Sequence, residues 1–392
     1  MSRSADILFY VQHLLGIGHL RRSAAIVRAL DAAGLRVVLV SGGLPVQNLD
    51  IANARLVQLP PLKSPDERFS RLVDAAGEVV DEAWKAARAA RLLDVFQAAR
   101  PRLLVTEMFP LGRRQMRFEL LPLLEAAIQG TPRPAIVCSV RDILNEPRSA
   151  DKSRWMAATL DRYFDRVLVH GDPEIATLDL TFPRIAEVTP EVTYTGYVVS
   201  EAPARPEPNA APDAAGTGEV LVSAGGGRVA GPLIEAVLAA RPRGPLKDAQ
   251  WRILVGEHTP QAAYEAWVRR APAGVTVERW RPDFQALLSR SLLSISQAGY
   301  NTVMEVLKSG RPALVVPFAA GSETEQSRRA SLLADRGLLV VINEAELSAE
   351  RLNRGLRQAL AQADRPPARP IDMAGARKTA AILQDMLATL PR

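Results

Sequence analysis

A chain of 392 residues is too long for one ordinary α/β core, and its 47% hydrophobic share and mean hydropathy of -0.01 suit two buried cores rather than a disordered or fibrous protein. The net charge of +6 is spread over interspersed arginines and lysines, and aromatics make up only 5%, which argues against a base-stacking nucleic-acid surface. Cys138 is the single cysteine, so an intrachain disulfide and a cysteine-based metal site are both excluded. His13, His19, His170 and His258 are scattered without an HExxH pair, and no protein-held metal or other cofactor is expected. Met1 to Asp6 leads straight into a strand, leaving no room for a signal peptide, and no apolar run approaches the ~20 residues of a bilayer span. A cytoplasmic protein is expected.

Short β-branched runs alternate with helical patterns along the chain, the signature of parallel sheets built from βαβ units. In the first half, strands are predicted at 7–13, 36–41, 55–59, 103–106, 135–140, 167–170 and 192–195. Leu20, Ala24, Val27 and Leu30 share one face of a helix predicted over 20–33, and an Ala-rich helix is predicted over about 69–99. Residues 201–218 hold four prolines without periodicity and read as a linker. The pattern then restarts, with strands predicted at 219–223, 251–255, 275–278, 292–296, 313–316 and 338–342. A helix over 375–390 closes the chain. The expected organisation is a first domain over 1–200, a linker over 201–218, a second domain over 219–372 and a terminal helical segment over 373–392, free to pack back on the first domain.

Four loops between a strand and a helix carry candidate chemistry. The first is Gly16-Ile17-Gly18-His19, where glycines permit close backbone approach and a neutral imidazole at a helix start suits a general base. His13, before the glycines, is the second choice. The next loop, Ser223-Ala224-Gly225-Gly226-Gly227-Arg228, clusters amide groups for an anion and lacks the ending of a Walker A loop. Its Gly225-x-Gly227-x-x-Ala230 spacing, with Glu257 after the following strand, leaves a dinucleotide-binding oxidoreductase open.

In the third loop, Gly299, Asn301 and Thr302 open a helix and Glu305 lies one turn on, a carboxylate suited to a ribose diol; Thr302-x-x-Glu305 also reads as a capping box. The fourth is Pro317 to Gln326, where Glu325-Gln326 pairs an acid with an amide for sugar hydroxyls. Ser322-x-x-Glu325 reads as a second capping box. At strand ends in the first half, Glu107, Arg113, Arg114 and Arg141-Asp142 are placed to suit a site, although an Arg–Asp neighbour pair is more often structural. Phe118, Leu120, Leu121 and Leu124 within 116–124 suit either core packing or contact with a membrane.

Taken in this order, the loops resemble the MurG-like GT-B glycosyltransferases, glycosyltransferase family 28, through Gly16–Arg22 and above all residues 296–330. The resemblance implies an α/β GT-B fold, two Rossmann-like doubly wound domains facing across a cleft. It implies transfer of a hexose from a nucleoside-diphosphate sugar, commonly a UDP-sugar, to a hydroxyl acceptor, inverting and without a metal, in cell-envelope or polysaccharide biosynthesis. By the same resemblance, His19 is the base, Gly16, Gly18, Glu107, Arg113 and Arg141 line the acceptor side, and Gly225, Gly226, Gly227, Arg228, Gly299, Asn301 and Thr302 meet the diphosphate. Glu305 then holds the ribose, Glu325 and Gln326 read the sugar, and the nucleobase lies near Trp280 and Arg281. The acceptor is a glycan, a lipid-linked molecule or a small molecule, with at most peripheral contact with the inner membrane face and no nucleic-acid partner.

The short Gly16–His19 loop and the bulk of Tyr300-Asn301 depart from the peptidoglycan enzymes and argue against their acceptor. Gly16-x-Gly18-His19-x-x-Arg22 equally fits nucleotide-sugar hydrolases of similar fold, the runner-up, and a non-catalytic nucleotide-sugar sensor is a further alternative.

Overall fold

The computed structural model describes residues 5–65, 71–147, 149–199, 215–224, 231–257, 259–318, 324–363 and 370–390. The chain divides into two compact units, Met1–Ser200 with Ile371–Arg392 and Glu201–Pro370.

In the first unit the order is β1 (Ile7–Val11), α1 (Gly18–Ala32), β2 (Val37–Ser41), β3 (Arg55–Gln58), α2 (Glu82–Ala99), β4 (Leu103–Glu107), α3 (Arg117–Ile128), β5 (Ala135–Arg141), α4 (Ala150–Tyr163), β6 (Arg166–His170) and β7 (Glu191–Tyr194). The seven strands form one sheet in the order β3-β2-β1-β4-β5-β6-β7. Every pairing in it is parallel, with Ile7 opposite Val37 on one side and Leu103 on the other.

The β1 side chains show why the sheet is covered twice. All five are out of solvent, and strand geometry sends alternate residues to opposite faces. Leu8 and Tyr10 join a core with Leu92, Leu123 and Leu160 of α2, α3 and α4. Ile7, Phe9 and Val11 join another with Ile26 and Leu30 of α1. Of the 116–124 stretch, Met116, Leu120, Leu123 and Leu124 are fully buried, and Phe118 and Leu121 pack against the same core, so this segment serves packing.

The second unit runs β8 (Val220–Ser223), α5 (Gly231–Ala240), β9 (Trp251–Val255), α6 (Gln261–Arg270), β10 (Val275–Arg279), α7 (Phe284–Arg290), β11 (Leu293–Gln297), α8 (Tyr300–Ser309), β12 (Ala313–Val316), α9 (Glu325–Asp335), β13 (Val340–Val341) and α10 (Ala349–Ala363). Its parallel sheet has the order β10-β9-β8-β11-β12-β13. One face buries Val220, Val222, Ile253, Ile295 and Leu314 against Ile234, Leu352 and Leu356.

The last helix, α11 (Gly375–Thr389), belongs to the first unit. Ala376, Ala380, Leu383 and Leu387 enter the core beside Ile7, Phe9 and Ile26. Val198 bridges Ala374, the Gly375 amide donates to Tyr197 O at 3.0 Å, and Arg102 Nη2 donates to the Leu387 and Leu390 carbonyls at 2.7 and 2.9 Å.

Two sequence expectations need correction. The helix predicted from residue 69 starts only at Glu82, capped by Asp81 Oδ1 accepting from the Trp84 amide at 2.7 Å. Before it, Asp74 accepts from the Gly77 and Glu78 amides and Gly77 takes φ +97, a left-handed turn that a helix cannot contain. Phe69 lies outside the described residues. The strand predicted over 338–342 shrinks to Val340–Val341.

Among the described residues no helix is long and apolar enough to cross a membrane, and no group of three or more His, Cys, Asp or Glu side chains is gathered as for a metal ion.

Candidate functional site

In a doubly wound sheet, ligands bind at the carboxyl ends of the two strands where the winding reverses. In the first unit these are β1 and β4. After β1, Gln12 and His13 are buried, Leu15 and Gly16 are exposed, and α1 begins at Gly18, so His19 stands in its first turn. A Cβ on Gly16 would meet nothing within 4 Å, so nothing in the described protein requires a glycine there. At Gly43 the reverse holds: a Cβ would fall 2.4 Å from His13 Cε1.

His19 Nδ1 lies 2.7 Å from Glu107 Oε1, the last residue of β4. Arg22, one helical turn after His19, donates Nη2 to the same oxygen. The Glu107 side chain is 1% exposed and that of His19 15% exposed, so the carboxylate is sealed and the imidazole keeps one edge toward solvent.

Burial pushes the His19 pKa down to about 3, outweighing the attraction of Glu107, with Arg113 and Arg22 adding to the fall. Burial alone would raise Glu107, but His19, Arg22 and Arg113 bring it down to about 2. At neutral pH the pair is therefore an ionised carboxylate and a neutral imidazole. Nδ1 carries the proton and donates it to Glu107, which leaves the Nε2 lone pair as the basic site.

Two further arginines flank this pair. Arg113 donates Nε to Gln12 O at 2.9 Å, and burial lowers its pKa to about 10, with Arg141 and Arg22 pushing the same way. It sits at φ +54 and Met108 at φ +68, two non-glycine residues in the left-handed region bracketing one loop. Arg141 ends β5 opposite His170 of β6, and Asp142 beside it is fully buried, accepting from the Tyr197 hydroxyl at 3.1 Å. Arg114 lies in a short 3-10 turn before α3.

His13 is not equivalent to His19. It is 3% exposed, its Nε2 lies 3.0 Å from Leu44 O, and burial lowers its pKa. The sequence reading missed Arg22 as a partner of Glu107, although His19 and Arg22 at i and i+3 necessarily share a helix face. It also missed a buried chain behind them: His170 Nε2 lies 2.7 Å from Ser139 Oγ and Nδ1 lies 2.9 Å from Thr195 Oγ1.

In the second unit the winding reverses at β8 and β11. Gly225, Gly226, Gly227 and Arg228, which follow β8, lie outside the described residues, as does His258. After β11, Gly299 is the N-cap of α8 with no side-chain cap, and Asn301 and Thr302 are half-buried in the first turn. Thr302-x-x-Glu305 is therefore no capping box. The helix begins at Tyr300, which puts Thr302 inside it and carries Glu305 into its second turn, beyond reach of the cap amides. Glu305 is half-buried and its Oε1 accepts from Gln285 Nε2 of α7 at 3.2 Å.

Ser322 lies outside the described residues, but Glu325 opens α9, 2% exposed, with Oε1 accepting from Arg329 Nη2 at 2.8 Å. Gln326 Oε1 accepts from the Phe318 amide at 3.3 Å. After β10, Trp280 is 42% exposed with its amide on Val255 O at 2.8 Å, and Arg281 grips Asp283 through two bonds of 2.8 and 2.7 Å. Glu257 is exposed, and its carbonyl accepts from Arg279.

Two parallel, doubly wound sheets with interleaved helices, carrying helix starts at both winding reversals, are the architecture of the GT-B glycosyltransferases. The crystal structure of Acinetobacter baumannii MurG shares this fold, with a TM-score of 0.58 and 16% identity over 97% of this chain and 99% of that one. Residues 220–385 match the glycosyltransferase family 28 C-terminal domain.

The chain is 29% identical over 224 residues to the UDP-N-acetylglucosamine--N-acetylmuramyl-(pentapeptide) pyrophosphoryl-undecaprenol N-acetylglucosamine transferase of Phenylobacterium zucineum. That match takes in 54% of this chain and 58% of the relative, so the chain spans less than two thirds of that relative's length. The protein of the same description from Caulobacter vibrioides is 27% identical over 364 residues, 89% of this chain and 88% of its own length.

Proposed function

We propose that this protein transfers a sugar from a nucleoside-diphosphate sugar, a UDP-sugar, to a hydroxyl acceptor with inversion at the anomeric carbon. The observation that carries the reading is the 2.7 Å contact between His19 Nδ1 and the sealed, ionised Glu107 at the winding reversal of the first sheet. A neutral imidazole whose Nδ1 proton is held by a carboxylate has its Nε2 lone pair set for a hydroxyl proton. As the proton arrives, Glu107 stabilises the imidazolium, much as a carboxylate orients and stabilises histidine in other dyads and triads. The acceptor oxygen attacks the anomeric carbon as the nucleoside diphosphate departs.

Donor binding is assigned to the second unit. The first turn of α8, with Gly299, Asn301 and Thr302, turns its backbone amides to the diphosphate, and Gly225 to Arg228 complete that role. Glu305 accepts the ribose hydroxyls, and Glu325 with Gln326 reads the sugar. The family 28 match over 220–385 and the UDP-N-acetylglucosamine named for the Phenylobacterium zucineum and Caulobacter vibrioides transferases support this half of the reading. Gly16 and Gly18, with Arg113 and Arg141, are assigned to the acceptor.

His19→Ala is expected to lower turnover by about two orders of magnitude or more while leaving donor affinity nearly unchanged. Steady-state kinetics with calorimetric donor binding measures both, and wild-type turnover in the variant would remove His19 from the reaction. Fast stoichiometric release of free sugar without any acceptor would replace transfer by hydrolysis.

A further inference from the structure

Arg329, one turn into α9, is completely out of solvent. Its guanidinium carbon lies 4.9 Å from the centroid of the Tyr300 ring, and its Nη2 donates to Glu325 Oε1 at 2.8 Å. Tyr300 is the first residue of α8 and Glu325 the first of α9, and these helices follow the adjacent strands β11 and β12. One buried cation thus ties together two helix starts on the same side of the second sheet.

The chemistry of the contact requires arginine. A planar guanidinium can lie against an aromatic face while its edge donates to a carboxylate, and a lysine ammonium cannot do both. Stability is a poor reason for such an arrangement, since buried ion pairs replaced by apolar side chains of similar volume often leave a fold as stable or more so. What the arrangement does provide is placement: the Glu325 carboxylate has its position fixed relative to the first turn of α8.

We propose that Arg329 is a positioning residue for donor-sugar recognition, holding Glu325 in register with the helix start that faces the diphosphate. This rests on the donor reading above, in which α8 meets the diphosphate and Glu325-Gln326 meets the sugar. It follows that the Tyr300–Arg329–Glu325 contact contributes to binding of the sugar and not of the nucleotide.

The test compares UDP with whichever of UDP-N-acetylglucosamine, UDP-glucose and UDP-galactose the wild-type full chain binds most tightly, by calorimetry and by donor KM and kcat. Arg329→Met is expected to weaken the UDP-sugar and raise its KM at least tenfold, with UDP affinity changed less than twofold and kcat less than threefold. Arg329→Lys, which keeps the charge without the planar contact, is expected to fall between the two.

Arg329→Met combined with Glu325→Gln removes both charges, so no unpaired carboxylate is buried even if the single variant folds poorly, and it is expected to lose the sugar as fully as Arg329→Met. Equal loss of UDP and UDP-sugar in the variants overturns the positioning role and leaves the donor reading standing, whereas a wild-type KM in the double variant overturns the positioning role together with the assignment of Glu325 to the sugar. A wild-type chain that binds neither UDP nor any of the three sugars overturns both.

Discussion

Glu107 shows how one side chain serves two purposes in a small volume. It is sealed from solvent yet ionised, because Arg22 and the imidazole N–H of His19 meet the same oxygen. Glu107→Gln keeps the shape and removes the charge, so the imidazolium formed during proton transfer loses its stabilising partner. Turnover is expected to fall on the order of 10²–10⁴-fold, with donor affinity unchanged because the donor residues belong to the other unit. The melting temperature should drop as well, since Arg22 is left buried without its carboxylate, and Glu107→Gln with Arg22→Met should recover stability without recovering turnover. Wild-type turnover in Glu107→Gln would sink the dyad. The sequence identified His19 and Glu107 separately, one by its place after a Gly loop and the other by its place at a strand end. Their contact was not legible, because residues 88 apart meet only once β1 and β4 pair in the sheet. The capping-box reading of Thr302 and Glu305 failed for a related reason. Four residues of local pattern do not specify where a helix begins, and here β11 and Gly299 start it two residues before Thr302.

At the scale of elements, strands were the most legible part of the chain. A parallel strand covered on both faces appears as an unbroken apolar run, and Ile7–Val11 and Ala313–Val316 are such runs. The helix misread from residue 69 had the composition of a helix but not its breakers, since Gly77 and the Asp74 turn act through backbone geometry. Packing of the terminal helix on the first domain was among the sequence expectations, but the face it covers was not legible. Ala376, Ala380, Leu383 and Leu387 form an apolar stripe that says the helix packs on something, while only the fold shows that it covers β1 beside α1. That packing closes one face of the sheet that carries His19 and Glu107. Leu383 is fully buried in it, and Leu383→Ala is expected to destabilise the first unit by about 2–5 kcal/mol, read from the denaturation midpoint. A change below about 0.5 kcal/mol would mean that α11 is dispensable to this core.

For the molecule as a whole, histidine burial sets an acid limit. Burial lowers the pKa of His13, and brings His19 and His170 to about 3, all three in the first unit; His258 is the one histidine of the second. An unfolded histidine takes up its proton near pH 6.5, whereas folded His19 and His170 do not until far lower. In that interval the unfolded state binds more protons, so stability falls as pH falls, by about 1.4 kcal/mol per pH unit for each fully buried histidine. Carboxylates with lowered values, such as Glu107, Glu235 and Asp283, exchange protons with the unfolded state nearer pH 4 and below, while Glu119, raised by burial, works in the opposite direction and offsets part of the loss. Between pH 6.5 and 5 the first unit should therefore lose stability faster than the second, with hydrogen exchange accelerating in β1, β4 and β6 before β8, β9 and β11. The same depressed His19 pKa predicts that kcat stays flat from pH 8 to 6, with no acid limb near 6.5. A melting temperature equal at pH 7 and 5, or earlier opening of the second unit's strands, would show that these imidazoles are protonated in the folded chain.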